Sequence, residues 1–139
     1  MREILFRAKR TDSEEWVEGF YQFIDWIYPS TGELAERKYY IRQIRSQDAF
    51  EVNPDTICQY TGMTDKNGNK IWENDIIKVR ANNRAFISQI EWDDYSKGFT
   101  FQDSKSTWCG MDAFATGGCY RFGCEVIGNI FDNADLLKE

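Results

Sequence analysis

The stretch at residues 56–79, which reads TICQYTGMTDKNGNKIWENDIIKV, decides the fold class of this chain. Asn67-Gly68 lies between two apolar runs, and asparagine and glycine are the residues least penalised at the positive φ angles of a type I′ turn. Asn74-Asp75 then introduces the short apolar segment 76–79. We therefore predict a β-hairpin at Asn67-Gly68 and a further strand directly after it.

The sequence on both sides of this block also has the pattern of short strands separated by turn-forming residues. The predicted strands are residues 4–10, 15–23, 38–44, 85–92 and 99–101. Short strands at this spacing are typical of a small barrel. The aromatic content of 16% favours β structure as well, because aromatic side chains suit pleated, half-buried surfaces. We predict an all-β fold with very little helix.

Asn53-Pro54-Asp55 is the predicted boundary between two regions, because the residue before a proline is pushed out of helical geometry. We predict that residues 1–55 form an N-terminal β-hairpin and sheet region. Residues 56–139 are predicted to form the barrel region, which ends in a short helix at 134–138 with Asn133 as its N-cap. The only other helical segment that the sequence favours is a turn near residues 112–116.

The net charge of -6 comes from 17 basic and 23 acidic residues and is spread evenly along the chain. Phosphate binding needs concentrated positive charge, so this distribution disfavours nucleic acid as a partner. No run approaches the roughly 20 apolar residues that cross a bilayer. The N-terminus MREILFRAKR carries charge where a signal peptide needs an apolar stretch. We therefore predict a cytoplasmic protein that does not associate with membranes.

The chain contains no histidine, which is the commonest general base and metal ligand. An enzyme would have to use other side chains, and the acidic pairs Glu14-Glu15 and Asp93-Asp94 are typical of solvated loops. We predict no enzyme activity and no cofactor.

A nucleic-acid-binding barrel is the alternative function, and it depends on a basic cluster just after the central block. The cluster consists of Lys78, Arg80 and Arg84. The acidic residues Glu91 and Asp93-Asp94 on the next predicted strand offset this charge. Bases could stack on nearby aromatic residues, although strand spacing is more typical of a core at these positions. The aromatic residues are Trp92, Phe99 and Phe101.

The four cysteines allow two interpretations. They are Cys58, Cys109, Cys119 and Cys124. Four thiolates can form a closed tetrahedral zinc site, and the glycines around Cys119 and Cys124 would let the backbone wrap an ion. The chain lacks the paired CxxC spacing that makes such a site persuasive. The alternative is that the thiols are reduced, buried and act as small hydrophobes.

Several blocks of the sequence are similar to one known family. They are MREILFRA at the start, Gln59-Tyr60-Thr61-Gly62, Asp65-Lys66-Asn67-Gly68, Ile71-Trp72-Glu73, Asp75-Ile76-Ile77-Lys78-Val79, residues 125–130 and Leu136-Leu137. In these residues the chain resembles the YopX family of small proteins found in phages and prophages. The resemblance implies an SH3-like barrel in the C-terminal part of a phage-encoded protein that works inside its bacterial host. It implies no catalytic residues. Asn74 departs from the family pattern, because relatives tend to have glycine there.

The central block also contains a set of turn-forming residues, here called the turn signature. They are Gly62, Asp65, Asn67, Gly68 and Asp75. A hairpin requires residues of these types in any case. We predict a structural role in which Asp75 accepts backbone N–H bonds before the strand that follows it, and ligand binding is the alternative.

Together these observations favour a phage-encoded accessory protein that binds a host or phage protein or assembles with itself. Sheets that are rich in aromatic residues and have open edges favour a homo-oligomer. A monomer whose edges are protected by Glu36, Arg37 and Lys38 is the alternative.

Overall fold

Antiparallel β-strands dominate the computed structural model, which describes residues 3–81, 84–103, 108–114, 120 and 123–138. The helical segments in this part of the chain are short 3₁₀ turns, so the mostly β fold predicted from the sequence is confirmed. The chain divides into two compact units, Glu3–Gln59 and Tyr60–Glu139. No helix among the described residues is long and apolar enough to span a lipid bilayer.

The first unit is an antiparallel sheet with a short 3₁₀ turn at Pro54–Thr56. Its strands are β1 (Phe6–Lys9), β2 (Trp16–Ile27), β3 (Leu34–Arg42), β4 (Ala49–Glu51) and the first residues of β5 (Cys58–Thr64). They are ordered β4-β3-β2-β1-β5 across the sheet. The core of this unit consists of Ala8, Val17, Ile41 and Val52.

The β2–β3 hairpin is longer than the sequence predicts. Strand β2 continues past Phe23 to Ile27, and β3 begins at Leu34 instead of Lys38. Pro29-Ser30-Thr31-Gly32, between the predicted strands 15–23 and 38–44, lie in the hairpin loop. Proline and glycine interrupt a strand whether or not a hairpin follows, so the local sequence does not show that the chain pairs back on itself.

The boundary between the two units lies after Gln59, whereas the sequence placed it after Asp55. Ile57 packs against the core of the first unit, and Cys58 and Gln59 pair with β1. The residues just after Pro54 therefore still belong to the N-terminal sheet.

The second unit is a small barrel of short strands around one core. After the rest of β5 it contains β6 (Lys70–Trp72), β7 (Asp75–Ala81), β8 (Arg84–Gln89), β9 (Glu91–Asp93), β10 (Gly98–Gln102), β11 (Trp108–Gly110) and β12 (Cys124–Asn129). Strands β12-β7-β8 and β11-β10-β9 form two three-stranded sheets. Residues of β6, β7, β8, β10 and β12 share one core. The core residues are Ile71, Ile77, Val79, Phe86, Ile90, Phe101, Ala113, Tyr120 and Cys124.

The loop between β5 and β6 differs from the predicted type I′ turn. Gly68 has a positive φ of +84°, but Asn67 does not. The side chain of Asp65 instead accepts hydrogen bonds from the backbone N–H groups of Asn67 and Asn69, both at 2.9 Å. This Asx-type arrangement closes the loop without a left-handed residue at Asn67.

The helical segments near the C-terminus are 3₁₀ turns whose described bounds differ from those predicted. A 3₁₀ turn covers Met111–Phe114, and residues 115 and 116 of the predicted turn lie outside the described part of the chain. A second 3₁₀ turn covers Ala134–Leu137, and Asn133 does not cap it with its side chain. The Asn133 Oδ1 atom accepts instead from the N–H of Asn129 at 3.2 Å. The side chain that was predicted to cap the turn therefore binds the last residue of β12.

Asn74 has a positive φ of +70°, a conformation that glycine adopts without strain. We expect Asn74→Val to lower the free energy of unfolding by about 2 kcal/mol, because a β-branched side chain is strained in this conformation. Asn74→Gly should change it by less than about 1 kcal/mol. Urea denaturation of the two variants checks this, and equal stability would show that the backbone conformation is not the constraint.

Candidate functional site

Asp65, the central residue of the turn signature, is only 6% exposed and uses both carboxylate oxygens within the fold. Its Oδ1 atom accepts from Asn67 and Asn69, and its Oδ2 atom accepts from the N–H of Val126 on β12 at 3.0 Å. Burial raises the pKa of Asp65, but these backbone hydrogen bonds outweigh burial and hold the pKa below its usual value. The carboxylate therefore joins the β5–β6 loop to β12 as a structural anion.

The other residues of the turn signature also serve the backbone. Asp75 is 1% exposed and accepts from the N–H of Trp72 at 2.8 Å. Gly62 has a positive φ of +90° in the part of β5 where the pairing register with β6 shifts. Gly68 donates its N–H to the carbonyl of Asp65 at 3.0 Å. The described contacts of these residues are those of turn formers.

The structure brings together two residues of the predicted basic cluster and separates the third. Lys78 and Arg80 alternate along β7 and share a face, whereas Arg84 pairs with Ala81 and lies on the opposite face. Lys78 is also directly across the β7–β12 ladder from Glu125. The three cations therefore do not form one positive surface.

The predicted stacking residues do not form an open platform beside these cations. Phe101 is fully buried, and Phe99 is partly buried against the same core. Trp92 is 43% exposed, but its ring is edge-on to Phe99 and its Nε1 donates to Asp94 at 2.9 Å. The aromatic rings that base stacking would need are thus packed in the core or against each other, and the indole N–H of Trp92 is bonded to an adjacent carboxylate.

We expect the purified protein to show no measurable binding to labelled single- or double-stranded oligonucleotides at near-physiological salt. Lys78 and Arg80 can supply at most two phosphate contacts, and two contacts give a log–log salt slope of only about -2. Fluorescence anisotropy at two salt concentrations checks this. Tight binding that weakens steeply with salt and is lost in a Lys78→Glu, Arg80→Glu double variant would contradict it.

The described cysteines lie in apolar surroundings. Cys58 belongs to the first unit, is buried and donates its thiol to the carbonyl of Thr56 at 3.3 Å. Cys109 and Cys124 pack in the core of the second unit. Burial raises the pKa of Cys124 to about 12, so its thiol is neutral at pH 7. Cys119 lies outside the described residues.

In the described part of the chain, the cysteines therefore do not form an assembled metal site. Among those residues no group of three or more histidine, cysteine, aspartate or glutamate side chains is arranged to hold an ion.

Many of the exposed large apolar side chains among the described residues lie on the outer part of the β2–β3 hairpin, residues 20–39, here called the arm. Strand β1 pairs with β2 only through residues 16–19, and β4 pairs with β3 only through residues 40–42. Beyond these points the two strands of the arm pair with each other and with no other described strand. At the base of the arm, Val52 donates its N–H to the carbonyl of Tyr39. The rest of both outer edges of the arm is open.

One face of the arm carries a row of interacting side chains. The rings of Tyr21 and Tyr39 stack with centroids 6.3 Å apart, and the guanidinium carbon of Arg37 lies 4.1 Å from the ring centroid of Phe23. Arg37 also donates two hydrogen bonds to Asp25, at 2.6 and 2.9 Å. The hydrogen bond from Arg37 lowers the pKa of Asp25, so the pair stays ionised at neutral pH. These contacts stiffen the hairpin.

The opposite face and the tip of the arm expose large apolar side chains. On the face, Phe20 is 52% exposed, Ile24 39% and Trp26 55%. At the tip, more than half of each of three further side chains is exposed, those of Ile27, Tyr28 and Leu34. A two-stranded hairpin is marginally stable in water, and contiguous exposed apolar surface marks interaction sites. The arm has the properties of a surface that another molecule covers.

The arm was not predicted from the sequence, because the predicted second strand ended at Phe23. The available signal was the segment FIDWIY at residues 23–28, in which Asp25 is the one charged residue, followed by Pro29-Ser30-Thr31-Gly32 and a second extended segment. That is the pattern of a hairpin with a loop of several residues.

The described residues thus define a class of protein: two small β units, one of which carries an apolar hairpin with open edges. The YopX protein family model matches residues 5–138, so the chain belongs to the YopX family and the resemblance seen in the sequence is confirmed. The crystal structure of protein EF1440 from Enterococcus faecalis is similar in fold, with a TM-score of 0.52 and 24% sequence identity. The alignment covers 99% of this chain and 100% of that one. No curated protein matches the chain significantly.

Proposed function

We propose that this chain is a non-enzymatic, phage-encoded accessory protein that acts in the cytoplasm of a bacterial host by binding a protein through the arm. Membership of the YopX family supports the phage origin. The observation that supports protein binding is the arm itself, with open edges on both strands and large apolar side chains in water.

The composition of the arm suits a protein partner. Tryptophan and tyrosine contribute strongly to protein–protein interfaces, and the arm exposes Trp26 and Tyr28. The arm has three acidic and two basic residues, so it carries a net charge of about -1 out of the chain's -6. A nearly neutral, aromatic surface favours contact with protein and does not attract a polyphosphate.

Site-specific photo-crosslinking in bacterial cells tests this function. A photoreactive p-benzoylphenylalanine replaces Ile24 on the arm in one variant and Ile87 on β8 in the control. The two positions are matched, since both are isoleucines on strands and are 39% and 44% exposed. We expect irradiation to give a discrete protein adduct from position 24, whether with another protein or with a second copy, and none from position 87.

Absence of any adduct at position 24, or equal labelling at both positions, would contradict the proposed function. Both results would mean that the arm contacts proteins no more than an ordinary exposed strand does.

A further inference from the structure

We infer that the molecule covering the arm is a second copy of this chain, joined to the first along the outer edge of β2. This inference rests on the proposed function and names the partner of the same surface. The two β2 edges would run antiparallel about a twofold axis and extend each hairpin into a shared sheet of four strands.

The two outer edges of the arm differ in how well they are protected. The open edge of β3 carries Glu36, Arg37 and Lys38 in succession, and charges of this kind oppose pairing with another strand. The open edge of β2, residues 20–27, has Asp25 as its single charged residue and contains neither proline nor glycine. A long apolar edge without these protections is the one that pairs with another strand.

The geometry of strand pairing restricts the register. In an antiparallel ladder, the N–H and C=O groups that point outward on one edge belong to every second residue. Two copies of the same edge can therefore pair about a twofold axis only if one residue lies opposite its own equivalent. Strand β2 pairs with β3 in one continuous register from Phe20 to Trp26. The register shifts between Trp26 and Ile27, so the regular segment ends at Trp26. The middle residue of that regular segment is Phe23.

With Phe23 opposite its equivalent, the paired edges are complementary. Phe20 of one copy lies opposite Trp26 of the other, and aromatic cross-strand pairs stabilise sheets. Asp25 lies opposite Tyr21 of the other copy, so no two like charges face each other. A register centred on Asp25 would place two carboxylates together. The low charge of the arm also lets two chains of net charge -6 approach each other at this surface.

The open edge of β2 offers eight residues, 20–27, for pairing with a second copy. Five of them are large apolar residues that are exposed in the single chain, namely Phe20, Phe23, Ile24, Trp26 and Ile27. Pairing along one edge would also give each marginal two-stranded hairpin the additional strands that it needs for stability.

The first test is the mass of the purified full-length protein by light scattering and sedimentation. We expect twice the chain mass of 16.4 kDa. Phe23→Asp should reduce the mass to that of one chain, because two carboxylates would then face each other across the axis. The control Ile87→Asp, at an exposed position on β8, should keep the dimer. Far-UV circular dichroism verifies that both variants are folded.

The second test measures the register by disulfide formation under mild oxidation. Phe23→Cys would lie directly opposite its equivalent, with Cβ atoms about 5 Å apart, whereas Ile24→Cys would lie diagonally at about 7–8 Å. We expect the Phe23→Cys disulfide to form roughly tenfold faster, since the longer distance exceeds disulfide reach. The wild-type chain, oxidised under the same conditions, is the control for disulfides that form between its own cysteines.

The outcomes separate this inference from the proposed function. A monomeric wild-type protein, or equal crosslinking of the two cysteine variants, would overturn self-pairing along β2. If the photo-crosslinks at position 24 then lead to a different protein, protein binding through the arm stands and only the identity of the partner is wrong. If position 24 gives no adduct in cells either, both proposals fail.

Discussion

Replacing Asp65 with alanine is expected to lower the free energy of unfolding of the second unit by about 3–5 kcal/mol. The substitution removes a buried, charged acceptor from the N–H groups of Asn67, Asn69 and Val126. Hydrogen bonds to charged groups contribute about 1.5–3 kcal/mol each, and their sum is reduced because the three share one carboxylate. The Val126 N–H loses its acceptor across the barrel, and the β5–β6 loop loses the group that shapes it.

Urea denaturation of the full chain, followed by tryptophan fluorescence to which the buried Trp72 of the second unit contributes, measures this effect. Asp135→Asn is a matched control in the same unit, because Asp135 is exposed and no side-chain hydrogen bond of its carboxylate is described. Its effect should be within about 0.5 kcal/mol. Similar stabilities of the Asp65→Ala and Asp135→Asn variants would show that the Asp65 carboxylate does not hold the loop.

The effect of Asp65 should also depend on pH. The pKa of Asp65 is lowered in the folded chain, so its contribution to stability is complete above the unfolded pKa of about 3.9. The contribution is lost as the pH falls through the lower, folded pKa. The stability difference between the wild type and Asp65→Asn should therefore be largest near neutral pH and shrink below about pH 4. A difference that stays constant from pH 7 to pH 3 would contradict this.

Gly19→Ala is expected to destabilise the first unit by about 3 kcal/mol or more. A Cβ atom at Gly19 would collide with the carbonyl oxygen of Arg42 and lie 2.7 Å from its carbonyl carbon. Both are backbone atoms of β3 and cannot rotate away as a side chain could. Gly19 is also the last residue of β2 that pairs with β1, so the substitution forces β2 and β3 apart at the base of the arm.

Gly98→Ala is the control for this prediction. Gly98 also lies on a strand, and a Cβ atom there meets no other heavy atom within 4 Å. Its effect should stay within about 1 kcal/mol. Hydrogen exchange of the β2 and β3 amides compares the two variants locally. Equal protection of these amides in the Gly19→Ala and Gly98→Ala variants would show that the backbone of β3 leaves room for a Cβ atom at Gly19.

The turn-forming residues of the central block were recognisable in the sequence because their requirements are local. A left-handed conformation at Gly62 and Gly68 and a short carboxylate at Asp65 depend on a few neighbouring residues. The same local preferences predict a positive φ at Asn67, which Asn67 does not have. The side chain of Asp65 accepts the hydrogen bonds that close the turn, so Asn67 does not need a left-handed conformation. The φ preference of one residue does not show that another side chain closes the turn.

The location of the basic residues depended on strand pairing. Lys78, Arg80 and Arg84 are close in sequence, but the register of β7 with β8 turns Arg84 to the other face. A shift of one residue in pairing would have reversed that result. Similarly, the raised pKa of Cys124 comes from burial in a core whose members are distant in sequence.

The sequence by itself determined the mostly β class, the family and the positions of the main turns, because alternation and turn chemistry act over a few residues. Only the tertiary structure decided which apolar strand is covered. Residues 20–27 have the composition of a buried strand, and the pattern of a strand is the same whether or not other strands lie beside it. Strands β1 and β4 end before the arm does, and the resulting open surface is a property of the assembled sheet.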